Sequence, residues 1–146
     1  MTDKTYYKIS DYYKEKYKEK VYKIPVKLSL TCPNRDGACG YGGCIYCSDA
    51  GGSFENLPTS LTVKDQLVKN MAYISKRYKA NKFIAYFQNF SNTYMDLEMF
   101  KEMVEASEKD NIVGISIATR SDCITEDKLL FLKDWHKKTN IDITIE

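Results

Sequence analysis

Short apolar segments alternate with helical patterns along most of the chain, and no other sequence feature restricts the fold as strongly. These segments are too short for helices and predict strands near residues 26–30, 82–88, 112–118 and 141–145. Between them, apolar residues recur at helical spacing after the capping residues Thr62, Asp96 and Thr125. Such alternation is typical of βαβ units in a parallel sheet with right-handed crossovers. The sequence therefore predicts an α/β fold.

The amino-terminal part of the chain differs from these units because it is rich in lysine. Residues 1–30 contain eight lysines against four carboxylates, and the charged stretch 10–20 indicates a short helix. Pro25 lies in the apolar run 21–30 and lacks the N–H that a strand interior uses, so the strand is expected to begin near Val26. We predict a basic helical extension at residues 1–24 and one domain of βα units at 25–146.

The unusual segments of the sequence all follow predicted strands. A loop rich in cysteine and glycine spans residues 31–59, polar segments occupy 89–94 and 118–123, and Glu146 follows the fourth strand. Because active groups of parallel sheets gather at the carboxyl ends of the strands, these segments are predicted to build one shared site. No helix follows the fourth strand to cover it, so we expect a truncated chain or a fragment.

Four of the five cysteines lie between positions 32 and 47. The start lacks a signal-peptide core and no apolar run is long enough to span a membrane, so a cytoplasmic, reducing location is expected. In that location crowded cysteines favour metal binding over disulfides. Cys44 and Cys47 form a C-x2-C pair that glycines allow Cys32 to join, and thiolates suit zinc or iron–sulfur centres. A structural zinc site that also uses Cys39 is an alternative, and the spacing alone favours it.

Motifs in the loop and after each later strand resemble those of one enzyme family. The loop contains Cys-Pro-Asn-Arg-Asp-Gly at residues 32–37 and Gly-Gly-Cys-Ile-Tyr-Cys at 42–47. Phe-Gln at 87–88 with Ser-Asn-Thr-Tyr at 91–94, Thr-Arg-Ser-Asp-Cys at 119–123 and Ile-Thr-Ile-Glu at 143–146 follow. Together these motifs are similar to the radical S-adenosylmethionine (SAM) superfamily, in particular the subgroup akin to the Elongator catalytic subunit, over most of the chain.

This resemblance implies a radical SAM enzyme. The implied fold is the amino-terminal part of a partial (βα)6 barrel, with about three βα units and a fourth strand. Cys32, Cys44 and Cys47 would ligate a 4Fe–4S cluster whose open iron chelates SAM. Reductive cleavage of SAM then yields a 5′-deoxyadenosyl radical that abstracts hydrogen from the substrate. An electron donor such as flavodoxin or ferredoxin is the implied partner.

The resemblance also implies cofactor-binding residues beyond the cysteines, although it identifies neither the catalytic residues nor the substrate. These residues are Tyr46, with its backbone near the adenine; Asn92 and Thr93, where relatives hold the methionine amino group; and Arg120 and Glu146, near the ribose or the carboxylate.

Several features leave other functions open. Cys39 lies outside the family's ligand positions, Ser121 stands where the family has proline, and Cys123 has no assigned role. Because the second half of the barrel is absent, we expect these residues alone to hold a cluster loosely and not to catalyse. The alternatives are a zinc-stabilised module with four cysteine ligands and a non-catalytic remnant.

Relatives of the Elongator type act on tRNA, and the lysine-rich start permits RNA as a partner. A net charge of +2 is nevertheless too small to argue for RNA binding.

Overall fold

A computed structural model describes residues 5–49 and 57–146. Residues 50–56 of the predicted loop and 1–4 of the predicted extension therefore lie outside the described residues. Along the described ranges the elements are α1 (Ile9–Tyr17), β1 (Val21–Val26), α2 (Val63–Tyr78), β2 (Lys82–Phe87), α3 (Leu97–Glu105), β3 (Ile112–Ile117), a 3-10 turn (Ser121–Cys123), α4 (Glu126–Thr139) and β4 (Asp142–Ile145).

The four strands form one parallel sheet in the order β1-β2-β3-β4. The helices α2, α3 and α4 connect successive strands, which confirms the predicted α/β fold of alternating strands and helices. With strands in sequence order, crossovers of one hand place all three helices on the same face of the sheet. The apolar core lies between that face and the helices, and it includes Phe83 and Phe87 of β2, Phe100 of α3 and Trp135 of α4.

The prediction for the first strand is wrong. β1 runs from Val21 to Val26 with Pro25 inside it, so it ends where it was expected to begin, and the boundary predicted after residue 24 falls within a strand. Proline is tolerated because β1 lies at the edge of the sheet, where one row of backbone groups has no partner strand. Two buried side chains of α2 bind that row: Asn70 donates to the Pro25 carbonyl at 2.7 Å, and Gln66 exchanges hydrogen bonds with the Lys27 backbone.

Two of the three predicted caps form the expected hydrogen bonds. The Thr62 hydroxyl accepts from the Asp65 N–H at 3.1 Å, and the Asp96 carboxylate accepts from the Met99 N–H at 2.9 Å. Thr125 precedes α4 as predicted, but its hydroxyl donates to the Asp127 carboxylate and caps no backbone group. The carboxylate competes for this hydroxyl because α4 carries acidic residues in its first turn.

The amino-terminal helix α1 confirms the helix predicted at residues 10–20 and contacts the sheet through polar groups. Lys16 lies 2.8 Å from the Asp142 carboxylate, which also accepts a hydrogen bond from Tyr17. Lys82 pairs with Glu19 at 3.2 Å. In the ranges 5–49 and 57–146, every helix is too short or too polar to cross a membrane.

Candidate functional site

The carboxyl ends of the strands surround a cavity of about 430 Å³. Its walls come from all four segments that the sequence placed at this edge of the sheet. The lining residues are Cys32, Asn34, Arg35, Gly43, Cys44, Tyr46, Cys47, Phe90, Ser91, Ala118, Thr119, Arg120 and Glu146. The cavity therefore brings together the three predicted cluster ligands and three of the five predicted cofactor residues.

The described part of the cysteine loop is organised by tight backbone hydrogen bonds. The Cys32 carbonyl accepts from the Arg35 N–H at 2.8 Å, and the Cys44 carbonyl accepts from the Cys47 N–H at 2.9 Å. The second bond closes the turn that the C-x2-C spacing requires. The Pro33 carbonyl accepts from the Cys39 N–H at 2.8 Å, so the chain folds back between Cys32 and Cys44.

Gly43 shows why the loop needs glycine. Its φ is +81°, and a Cβ atom there would lie 2.8 Å from Nε of Arg35. The Arg35 guanidinium passes over this glycine, stacks 5.1 Å from the Phe90 ring centroid and donates to the Ser48 carbonyl at 2.9 Å. Arg35 thereby ties the second half of the loop to the segment after β2.

Cys44 has the most polar surroundings of the loop cysteines. Asn34 donates to its sulfur at 3.2 Å and accepts from Arg120 at 2.5 Å, so the amide links the guanidinium to the thiol. A hydrogen bond with Tyr46 is the largest cause that lowers the pKa of Cys44, and Asn34, Arg120 and Arg35 act in the same direction. The lowered pKa favours the thiolate, which is the form that binds metals. The same hydrogen bond raises the pKa of Tyr46.

The other cysteines have different environments. Cys32 is half-buried, with the Ser91 hydroxyl 3.4 Å from its sulfur, whereas Cys39 is exposed and lies 3.9 Å from the Arg120 guanidinium, outside the cavity lining. All five cysteines are free thiols. Among the described residues, no three His, Cys, Asp or Glu side chains come close enough to hold one metal ion. The three lining thiols thus share a cavity without converging on a single point.

Asn92 and Thr93 are buried and do not line the cavity. The Asn92 amide donates to the Phe87 and Ala118 carbonyls at 3.0 and 2.9 Å, which joins the end of β2 to the end of β3. Within the described ranges its Oδ1 atom has no partner. Thr93 donates to the Cys123 carbonyl at 2.7 Å and meets the Thr119 hydroxyl at 2.6 Å. Their assignment to the cofactor stays a prediction.

Arg120 and Glu146 are the predicted cofactor residues with charged side chains. Arg120 forms a two-point ion pair with Asp122, at 2.8 and 2.6 Å, in addition to its bond to Asn34. Glu146 accepts from Ser116 at 2.6 Å and from Lys23 at 2.5 Å. Sequence reasoning did not identify Lys23, Asn34 or Ser91. A lysine within the apolar strand β1 was the one available signal for Lys23.

Known proteins resemble the chain over most of its length. It is 38% identical over 141 residues to the Uncharacterized protein YtqA of Bacillus subtilis, which covers 94% of this chain and 43% of that protein. It is 35% identical over 127 residues to the Uncharacterized protein MJ0486 of Methanocaldococcus jannaschii, covering 85% and 38% of the two chains. Protein YhcC of Escherichia coli is 31% identical over 133 residues, 90% of this chain and 41% of that protein.

The chain therefore spans about two fifths of the length of these curated relatives. No protein-family model matches it. No solved structure matches it either.

Proposed function

We propose that this chain is the cluster-binding, amino-terminal part of a radical SAM enzyme with a partial (βα)6 barrel. Cys32, Cys44 and Cys47 are its 4Fe–4S ligands. One observation carries the proposal: these three thiols line a single cavity with Glu146, whereas Cys39 lies outside it. That division matches the ligand positions implied by the motif resemblance.

The donor set fits the chemistry of an iron–sulfur cluster. Thiolate is the usual ligand of such clusters, and the pKa of Cys44 is lowered toward that form by its hydrogen bonds. A cluster of several irons holds its ligands farther apart than a single ion does, so three thiols that line one cavity without converging on a point suit it. The cavity volume of about 430 Å³ also exceeds what one ion needs.

Bound together, a 4Fe–4S cluster and SAM supply reductive cleavage of SAM to a 5′-deoxyadenosyl radical. The residues of this chain would bind the cluster and SAM and orient SAM relative to the cluster. Arg120 offers a fixed cation and Glu146 a fixed carboxylate on the cavity wall, for the carboxylate and the ribose of SAM. The backbone of Tyr46 lies between Cys44 and Cys47 in the sequence, and the motif resemblance assigns it to the adenine. The assignment of Asn92 to the ammonium group rests on the motif resemblance alone, because its side chain is buried and does not line the cavity.

Catalysis by the whole protein is a further part of this proposal. The curated relatives continue beyond the matched region, so the residues that select the substrate are expected there. A flavodoxin or ferredoxin as electron donor and RNA as substrate follow from the motif resemblance. These partners and the cytoplasmic location expected from the sequence stay predictions.

Anaerobic reconstitution with iron and sulfide tests the proposal. We expect a brown protein with the broad visible absorption of a thiolate-bound cluster and with iron and sulfide in equal amounts. Cys44→Ala should lose most of this absorption because one of three ligands is gone. Cys39→Ala is the matched control in the same loop and should retain it.

A structural zinc site predicts the opposite pattern. The protein would stay colourless, bind one zinc ion and lose it equally in Cys39→Ala and Cys44→Ala. If the reconstituted protein holds a cluster, SAM cleavage under reducing conditions then separates a working site from a non-catalytic remnant.

A further inference from the structure

Four polar side chains meet on the face of the sheet opposite α2, α3 and α4. They come from different strands: Lys23 from β1, Tyr86 from β2, Ser116 from β3 and Glu146 from the end of β4. Lys23 lies 2.5 Å from the Glu146 carboxylate and 3.4 Å from the Ser116 hydroxyl. Ser116 donates to the same Glu146 oxygen at 2.6 Å. We call these four residues the polar layer.

The geometry of the polar layer depends on the curvature of the sheet. Strands are about 4.8 Å apart, so β1 and β4 are separated by three such spacings. Lys23 crosses this width with its ammonium 4.4 Å from the Tyr86 ring centroid, which is a cation–π distance. A lysine on the first strand can reach the end of the fourth because the sheet is concave on this face. The contact is therefore built by the fold and not by neighbouring positions in the sequence.

Glu146 connects the polar layer to the cavity that Cys32, Cys44 and Cys47 line. Its side chain is about a third exposed, and it lines the cavity together with Cys32, Cys44 and Arg120. Burial alone would raise the pKa of Glu146, but hydrogen bonds from Lys23 and Ser116 outweigh it and hold this pKa below its ordinary value. The groups that face the carboxylate are Lys23, Tyr86 and Ser116 from the sheet, with Arg120 across the cavity.

We propose that Lys23 is a positioning residue, which holds the Glu146 carboxylate ionised and fixed in the cavity lining to accept hydroxyl groups of a bound ligand. This inference rests on the proposed function, in which the ligand is SAM and the hydroxyl groups are those of its ribose. A carboxylate held by donors on one side presents acceptor positions on the other, and a vicinal diol supplies two matching donors. Lys23 acts through Glu146 and need not touch the ligand.

A surface ion pair of no consequence is the competing explanation, since many such pairs contribute almost nothing. The surface-pair explanation and the proposed positioning role differ in what Lys23 controls. A surface pair changes stability slightly and leaves ligand affinity as it is. A positioning pair changes the ionisation of Glu146 and the affinity for a ligand with hydroxyl groups, while a longer cation in the same place preserves both.

The first test uses the protein without cofactors. The pKa of Glu146 is measured by nuclear magnetic resonance on glutamate labelled at the carboxyl carbon, with Glu146→Gln to assign the signal. We expect Lys23→Met to raise this pKa toward its ordinary value of 4.5, and Lys23→Arg to keep it low. Lys133→Met, at an exposed site of α4, is the control and should change nothing. An unchanged pKa in Lys23→Met overturns the inference.

The second test measures the Kd for SAM by equilibrium dialysis on the reconstituted protein. We expect Lys23→Met to bind SAM roughly tenfold more weakly, and Lys23→Arg to restore most of the affinity. Iron content, read from the same samples, should be equal in all variants because no cluster ligand has changed. Equal Kd values in the wild type and Lys23→Met would reject Lys23 as a positioning residue while leaving the proposed function intact.

The two failures can be told apart. Absence of a cluster in the wild type contradicts the proposed function, whereas the cofactor-free measurement on Glu146 still decides whether Lys23 controls that carboxylate. A cluster-containing wild type that binds no SAM contradicts the assigned ligand and, with it, the role of Lys23 toward that ligand.

Discussion

The cysteine segment, residues 32–47, and the segment 89–93 after β2 lie side by side at the same edge of the sheet, yet they are built in opposite ways. In the cysteine segment Tyr46 is 87% exposed, and turns hold the backbone through its own hydrogen bonds. In the second segment Asn92 is fully buried and Thr93 is 1% exposed, and both side chains bind backbone carbonyls of other segments.

This difference separates two tasks of a binding site. A side chain that must meet a ligand has to keep its polar atoms available, whereas one that fixes the strand ends uses them within the protein. Ser91 and Phe90 join the two segments, through the Cys32 sulfur at 3.4 Å and the Arg35 guanidinium at 5.1 Å. The buried segment 89–93 therefore fixes the strand ends, and the exposed cysteine segment packs against it.

The largest expected effect comes from Asn92→Ala. This change removes two amide hydrogen bonds, to the Phe87 and Ala118 carbonyls, each of which keeps one backbone donor. We therefore expect a loss of about 1–2 kcal/mol in the free energy of unfolding, measured by urea denaturation. Asn34→Ala in the cysteine segment is the matched control and should cost less than about 1 kcal/mol. Equal losses would show that the two segments do not differ as described.

Thiol reactivity should separate the cysteines in a similar manner. Cys39 is exposed, whereas Cys123 is buried and burial raises the pKa of its thiol. We expect iodoacetamide to alkylate Cys39 at least about tenfold faster than Cys123 near neutral pH, as followed by peptide mass spectrometry. Comparable alkylation rates for the two cysteines would contradict the buried position of Cys123. They would also weaken the contrast between the exposed cysteine segment and the buried residues that Thr93 contacts.

The smallest effect should come from Glu146, which lines the cavity together with residues of both segments. Its pKa is lower in the folded protein, so its stabilising contribution is present above the ordinary value of 4.5 and is lost as the pH falls through the folded pKa. Because the side chain is partly exposed, the loss is less than about 1 kcal/mol. Urea denaturation of wild type and Lys23→Met below pH 4.5 should show a smaller acid loss in the variant. A larger loss in the variant would reverse the expected sign.

Periodic patterns predicted the helices and three of the four strands because burial on one face imposes a visible spacing. Local rules failed at Pro25, since its tolerance depends on β1 lying at a sheet edge, and at Thr125, whose hydroxyl prefers a neighbouring carboxylate. The cysteines were recognisable as a motif from their order in the chain. Lys23 could not be recognised as a site residue from the sequence, because its contact with Glu146 joins residues 123 positions apart and forms only once the sheet has curved.

The side chains of Gln66 and Asn70 have a consequence for assembly. Together with Pro25, which lacks an N–H, they occupy the outward-facing backbone groups of residues 25 and 27, at the carboxyl end of β1. A strand from another copy of the protein could pair at this end of β1 only by displacing these hydrogen bonds.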